Sequence, residues 1–120
     1  MSLSELFERY DDAWARHDLD AIVSLHAEDG VFHLHAAGEP ARGRAAIRAT
    51  FAAVLEQYPD LRFERRDLRF GDDFVVFEYV MHVRGARMDA IDLFVVADGL
   101  VARKETYVDA TVLAAIAAAA

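Results

Sequence analysis

The chain has no cysteine, two prolines and a single lysine among its 120 residues. Without cysteine there is no disulfide, no thiolate nucleophile and no Cys-ligated metal. Basic residues are also scarce. Thirteen Lys and Arg face 21 Asp and Glu, a formal charge of −8. That balance argues against nucleic acid and against anionic membrane surfaces as main partners. No apolar run approaches the roughly 18 residues of a membrane span. No basic segment followed by an apolar one opens the chain, so a cytoplasmic location is the expectation. There is no Gly-x-Ser-x-Gly elbow, no P-loop and no dinucleotide fingerprint. Nothing supports a nucleophile mechanism, and no cofactor is expected.

What is present fits one folded domain. The apolar fraction is 55%, too high for a disordered chain. Leu3, Leu6, Phe7, Tyr10, Ala13, Trp14 and His17 fall on one stripe of an amphipathic helix, with Ser2 or Ser4 at its start. Asp18 is placed to cap a short second helix, which Glu28-Asp29-Gly30 ends with a turn. Val31 to His35 reads as a strand, and Gly38 and Pro40 mark a loop. Gly43 opens a third helix and Pro59 stops it.

Sheet follows, with strands at about 61–70, 74–84, 88–97 and 100–109, split at Gly71-Asp72-Asp73, Gly85-Ala86 and Asp98-Gly99. Leu61 and Phe63 share one parity, while Leu68 and Phe70 share the other. A β-bulge near Arg65-Arg66 accounts for that slip. Residues 1–110 form the domain, and 111–120 an Ala-rich tail, helical or frayed.

Helices first and strands last point to an α+β fold. A strongly curved, mainly antiparallel sheet wrapped around three helices gives a cone-shaped α+β barrel with a cavity inside. Both parities of the second long strand are apolar: Phe77, Tyr79, Met81 and Val83 on one side, Val76 and Val80 on the other. Such a sheet needs cover on both faces. Helices cover one, and a second copy is expected on the other as a homodimer.

Asp92 is the residue that carries chemistry. It interrupts the apolar run Ile91-Asp92-Leu93-Phe94-Val95-Val96. A buried carboxylate is costly unless it is paired, protonated or used. A buried acid with a raised pKa is what a general base working near neutrality requires. The bland alternative is an ion pair with Arg84 or Arg103.

Several segments together resemble the nuclear transport factor 2-like superfamily, and within it the SnoaL-like polyketide cyclase family. They are Tyr10-x-x-x-Trp14-x-x-x-Asp18-Leu19-Asp20-Ala21, Glu28-Asp29-Gly30-Val31-Phe32, Gly43-Arg44-Ala45-Ala46-Ile47-Arg48-x-x-Phe51 and the last hairpin from Asp92 to Asp109. The resemblance implies a small, apolar, carbonyl-bearing ligand and cofactor-independent cyclase or isomerase chemistry. It implies Asp92 as the general acid/base and His82 as its assistant. The fold also hosts non-catalytic ligand-binding and dimerisation modules, which is the alternative function.

The remaining candidates are pocket residues. Glu78 shares strand parity with His82 and is expected to converge with it on Asp92. Tyr10 and Trp14 are expected to line the cavity, where Trp14 can stack on a flat ligand. Tyr107 is a candidate donor to an oxyanion. His33 and His35 share a strand face, with Glu39 nearby. A metal site needs a third well-placed ligand. Pocket lining is therefore the expectation for both histidines, and no metal is expected.

Overall fold

Leu6, Phe7, Tyr10, Ala13 and Trp14 recur along α1 (Leu3–Ala15), and all five are buried. The computed structural model describes residues 1–119. Ser2 caps α1 by accepting the Glu5 N–H. Asp18 does the same for α2 (Leu19–Ser24), accepting the Ala21 N–H. Each cap satisfies a backbone donor that the first helical turn leaves without a partner. α3 (Arg44–Gln57) starts after Gly43, whose φ of 87° favours glycine, and ends at Tyr58 before Pro59.

The other elements are β1 (His26–Leu34), β2 (Ala41–Arg42), β3 (Arg62–Phe70), β4 (Phe74–Val83), β5 (Ala86–Ala97), β6 (Leu100–Val108) and α4 (Ala110–Ala118). The six strands form one sheet in the order β2-β1-β6-β5-β4-β3. Every pairing is antiparallel except β1 with β6, which is parallel. The sheet does not close into a barrel, since β2 and β3 stand at its two edges. Among the described residues, no helix is long and apolar enough to cross a membrane.

Local signals explain the hairpins. Arg84-Gly85 and Asp98-Gly99 all have positive φ. Two consecutive positive φ values make the turn whose twist matches paired strands. The register of β3 against β4 shifts between Arg65 and Asp67, where the sequence parity slips.

One reading of the sequence needs correction. Glu28-Asp29-Gly30 does not end the second helix. It lies inside β1, where the pairing with β6 jumps from His26 to Val31. Gly30 fits there because a Cβ would stand 3.0 Å from the Ala27 carbonyl. The Ala-rich segment is helical over Ala110–Ala118. Asp109 caps α4 by accepting the Thr111 and Val112 N–H groups. Arg84 donates to the Ile116 and Ala119 carbonyls at 2.9 and 2.6 Å, holding its C-terminal end. A cation there also opposes the helix dipole.

The core lies between the helices and one face of the sheet. Phe51 is its hub, 1% exposed. Its ring meets Trp14, His26 and Phe32 at centroid distances of 5.0, 5.5 and 4.9 Å. Replacing a ring so placed leaves a cavity that few neighbours can fill. Phe51→Ala is expected to cost about 3–5 kcal/mol in urea unfolding. A cost below about 1 kcal/mol would mean that the ring is not at the centre of the core.

Candidate functional site

Strand register decides which side chains meet. Asp92 on β5 stands opposite Phe77 on β4 and Thr106 on β6. It therefore faces the helices, together with Met88, Ala90 and Phe94, all buried. Lys104 is two residues before Thr106 and so faces the same way. Asp92 and Lys104 are 3% and 4% exposed.

These two buried charges compensate each other. Lys104 Nζ lies 3.7 Å from Asp92 Oδ2. Tyr79 and Thr106 donate their hydroxyls to Asp92 Oδ1 at 3.1 and 2.6 Å. The Lys104 ammonium also lies 4.9–5.6 Å from the ring centroids of Tyr10, Trp14, Phe32, Phe51 and Phe94. Ring faces attract a cation, and more strongly when water is excluded. Burial pushes the Asp92 carboxyl above its ordinary value, against the opposing pull of Lys104 and the two hydroxyls. Burial alone would lower Lys104; Tyr10 and Asp92 outweigh it and hold the amine above its ordinary value. Lys104 is thus a charged donor, not a free amine.

Tyr10 extends the network. Its hydroxyl is 2.8 Å from His26 Nε2. His26 is fully buried, and its Nδ1 has no hydrogen-bond partner. Among the described residues, the other buried side-chain nitrogen without a hydrogen-bond partner is Trp14 Nε1.

Beside this cluster is a cavity of about 180 Å³. Lys104, Thr106, Tyr79 and Trp14 reach it within a mostly apolar wall completed by Phe51 and Met81. Leu113 and Ile116 of α4 line it as well. An apolar cavity of about this size can hold a small ring compound. Asp92 itself is not in the cavity wall; it stands behind Lys104.

The residues anticipated from sequence divide between the two faces of the sheet. Asp92, Tyr10 and Trp14 lie on the helix side, but of the three only Trp14 borders the cavity. His82 and Glu78 do not converge on Asp92. Their parity puts them on the outer face, where His82 meets Glu64 at 2.8 Å and Glu78 is exposed. The inner parity of β4 is that of Val75, Phe77, Tyr79 and Val83. His33, His35 and Tyr107 are also outside. His35 stacks on Tyr107, and Tyr107 is 44% exposed. None of the three lines the inner cavity. Glu39 does line it and stands apart from both histidines.

Lys104, Thr106 and His26 were missed by the sequence reading. Lys104 lies between Arg103 and Glu105, so charge alone does not say which of the three turns inward. Its being the only lysine was the one available signal. Arg84 and Arg103 do not pair with Asp92. Arg84 holds α4, and Arg103 meets Glu105 on the outer face.

The buried histidine generates a pH dependence. Burial, and then the charges of Lys104 and Arg44, push His26 down to about 3. An unfolded histidine titrates near 6.5. A depressed histidine stabilises the fold above the unfolded value, and that contribution is lost as pH falls from about 6.5 toward 3. Urea unfolding of the protein is expected to weaken over this range more steeply than that of His26→Gln, by up to about 1.4 kcal/mol per pH unit. Parallel curves would show that His26 titrates normally.

Comparison with known proteins agrees with this architecture. A model of the SnoaL-like domain matches residues 7–104. A search of the curated proteins gives no match. Among solved structures, a candidate polyketide cyclase from Sinorhizobium meliloti is similar, with 23% identity, a TM-score of 0.78, and 85% of this chain and 93% of that one covered. TerC, crystallised with polyporic acid, gives 21% identity and a TM-score of 0.84 over 94% and 95% of the two chains. A protein of ketosteroid isomerase-like fold from Catenulispora acidiphila, in complex with trimethylamine, gives 21% and 0.77 over 88% and 86%. These identities establish a shared fold. The match over residues 7–104 goes further, and the chain belongs to the SnoaL-like domain family.

Proposed function

We propose that the protein binds a small, apolar, carbonyl-bearing molecule in the inner cavity and acts on it as a cofactor-independent cyclase or isomerase. The observation that carries this reading is a buried lysine–aspartate pair whose lysine borders an apolar cavity. The Lys104 ammonium would hold the carbonyl oxygen. Asp92 would take a proton from the adjacent carbon once a turn of the Lys104 side chain opens Oδ2 to the cavity, leaving an enolate whose negative oxygen stays on Lys104. In a ring closure, the enolate carbon attacks a second carbonyl, and the resulting alkoxide takes the proton back from Asp92. In an isomerisation the proton returns to another carbon of the enolate system. Both steps conserve charge within the site.

Three features support this reading. The ammonium is held in place before a ligand arrives, so little reorganisation is needed. Desolvation of Asp92 brings its pKa nearer to that of a base working at neutral pH. Trp14 supplies a donor without a partner beside the same cavity. Relatives crystallised with polyporic acid and with trimethylamine are consistent with small-molecule binding in this fold.

The second reading is a non-catalytic binding module. It is favoured by the position of Asp92, which has three partners and does not border the cavity. In both readings a homodimer would cover the outer sheet face over β4 and β5, leaving its β1 edge open. Half-buried Val76, Leu93 and Val95 and the exposed Ile91 make that face apolar.

Exchange of α-protons for deuterium separates the two readings, with cyclohexanone as the probe. The protein is expected to speed exchange and Asp92→Asn to lose the effect, with binding retained. Asp92→Asn leaves Lys104 buried without its counter-charge, a loss of about 3–5 kcal/mol. The double variant Asp92→Leu/Lys104→Met removes both charges and serves as the folded control. Binding without exchange favours the binding module. Exchange undiminished in Asp92→Asn removes Asp92 as the base.

A further inference from the structure

The outer face of the sheet carries a second cluster that the inner cavity does not use. His33 on β1 pairs in register with Glu105 on β6. His35 is two residues further along and shares their face. One ligand atom from each of the three lies within 4.8 Å of the others. His35 Nε2 is 2.9 Å from Glu105 Oε1, and the two imidazole centroids are 3.9 Å apart.

The three are held by paired backbone. His33 and Glu105 sit inside strands, and the His35 N–H donates to the Thr106 carbonyl at 3.0 Å. The His35 ring stacks on Tyr107 at 4.2 Å with 10° between planes. Sites built on strands and locked by stacking are better defined than sites on loops.

We propose that His33, His35 and Glu105 form a binding site for a divalent cation of the zinc class. Two imidazoles and one carboxylate suit zinc, cobalt, nickel or copper, and suit magnesium and calcium poorly. Donor atoms bound at about 2.0–2.1 Å around a tetrahedral ion stand about 3.4 Å apart, so small side-chain rotations close the cluster. Three protein ligands leave at least one position for water or a further ligand. The ion replaces the His35–Glu105 hydrogen bond. Arg103 Nε lies 3.2 Å from Glu105 Oε2, so Oε1 is the oxygen turned to the histidines. The net charge of −8 favours cations near the surface.

The test uses the untagged chain, freed of metal by a chelator and titrated with cobalt(II), then with zinc in competition. One saturable equivalent with visible ligand-field bands is expected, and magnesium should not displace it. His35→Ala and Glu105→Gln should each weaken binding by about tenfold or more. His82→Ala should not weaken it, although His82 also meets a carboxylate, Glu64, on the same face. In the unaltered protein, zinc should move the imidazole NMR signals of His33 and His35 and leave those of His17, His26 and His82 in place. The assignment is overturned if no saturable equivalent binds, if His33→Ala/His35→Ala/Glu105→Gln binds as tightly as the parent, or if zinc moves other imidazoles instead.

Discussion

The Lys104–Asp92 pair organises the inner half of this protein. Two charges have been taken out of water, and each is tolerable only because of the other and of the groups around them. Asp92 has two hydroxyl donors as well as the ammonium. Lys104 has five aromatic rings around it. Those rings come from α1, α3, β1 and β5, so four elements converge on one ammonium. The arrangement gives an apolar cavity with a fixed positive charge in its wall. A fully apolar core would be simpler to pack, but it would hold no carbonyl oxygen.

Sheet register makes this geometry possible. β5 and β6 are antiparallel neighbours, and Asp92 opposite Thr106 leaves Lys104 one diagonal step away on the same face. The parallel pairing of β1 with β6 then serves both sides of the sheet. Inside, it brings Phe32 opposite Lys104. Outside, it brings His33 opposite Glu105. One pairing thus sets a dry charged site and a wet ligand cluster back to back.

Features encoded over a few residues could be read from the sequence. The apolar stripe of α1, the Asp18 cap, the stop at Pro59, the two-residue turns and the bulge in β3 are all of this kind. Asp92 stood out because a carboxylate in an apolar run is costly wherever the run is placed. Facing was not legible on β4, where both parities are apolar; His82 and Glu78 were therefore assigned to the wrong side. Pairing between distant segments was not legible either. Nothing local places Glu105 beside His33 or turns Lys104, and not Arg103, toward the core. The Glu28-Asp29-Gly30 segment has the composition of a turn and forms an irregularity inside a strand, because tertiary pairing overrides local preference.

The most direct test of this account is a carboxyl-detected NMR titration of Asp92, with the Lys104 Nζ signal followed in the same sample. Asp92 should titrate above the ordinary aspartate value of about 3.9, and the Lys104 signal should respond at the same pH as the Asp92 carboxyl loses its proton. An Asp92 that titrates at its ordinary value, with a Lys104 signal indifferent to it, would mean a solvated carboxylate and no buried pair.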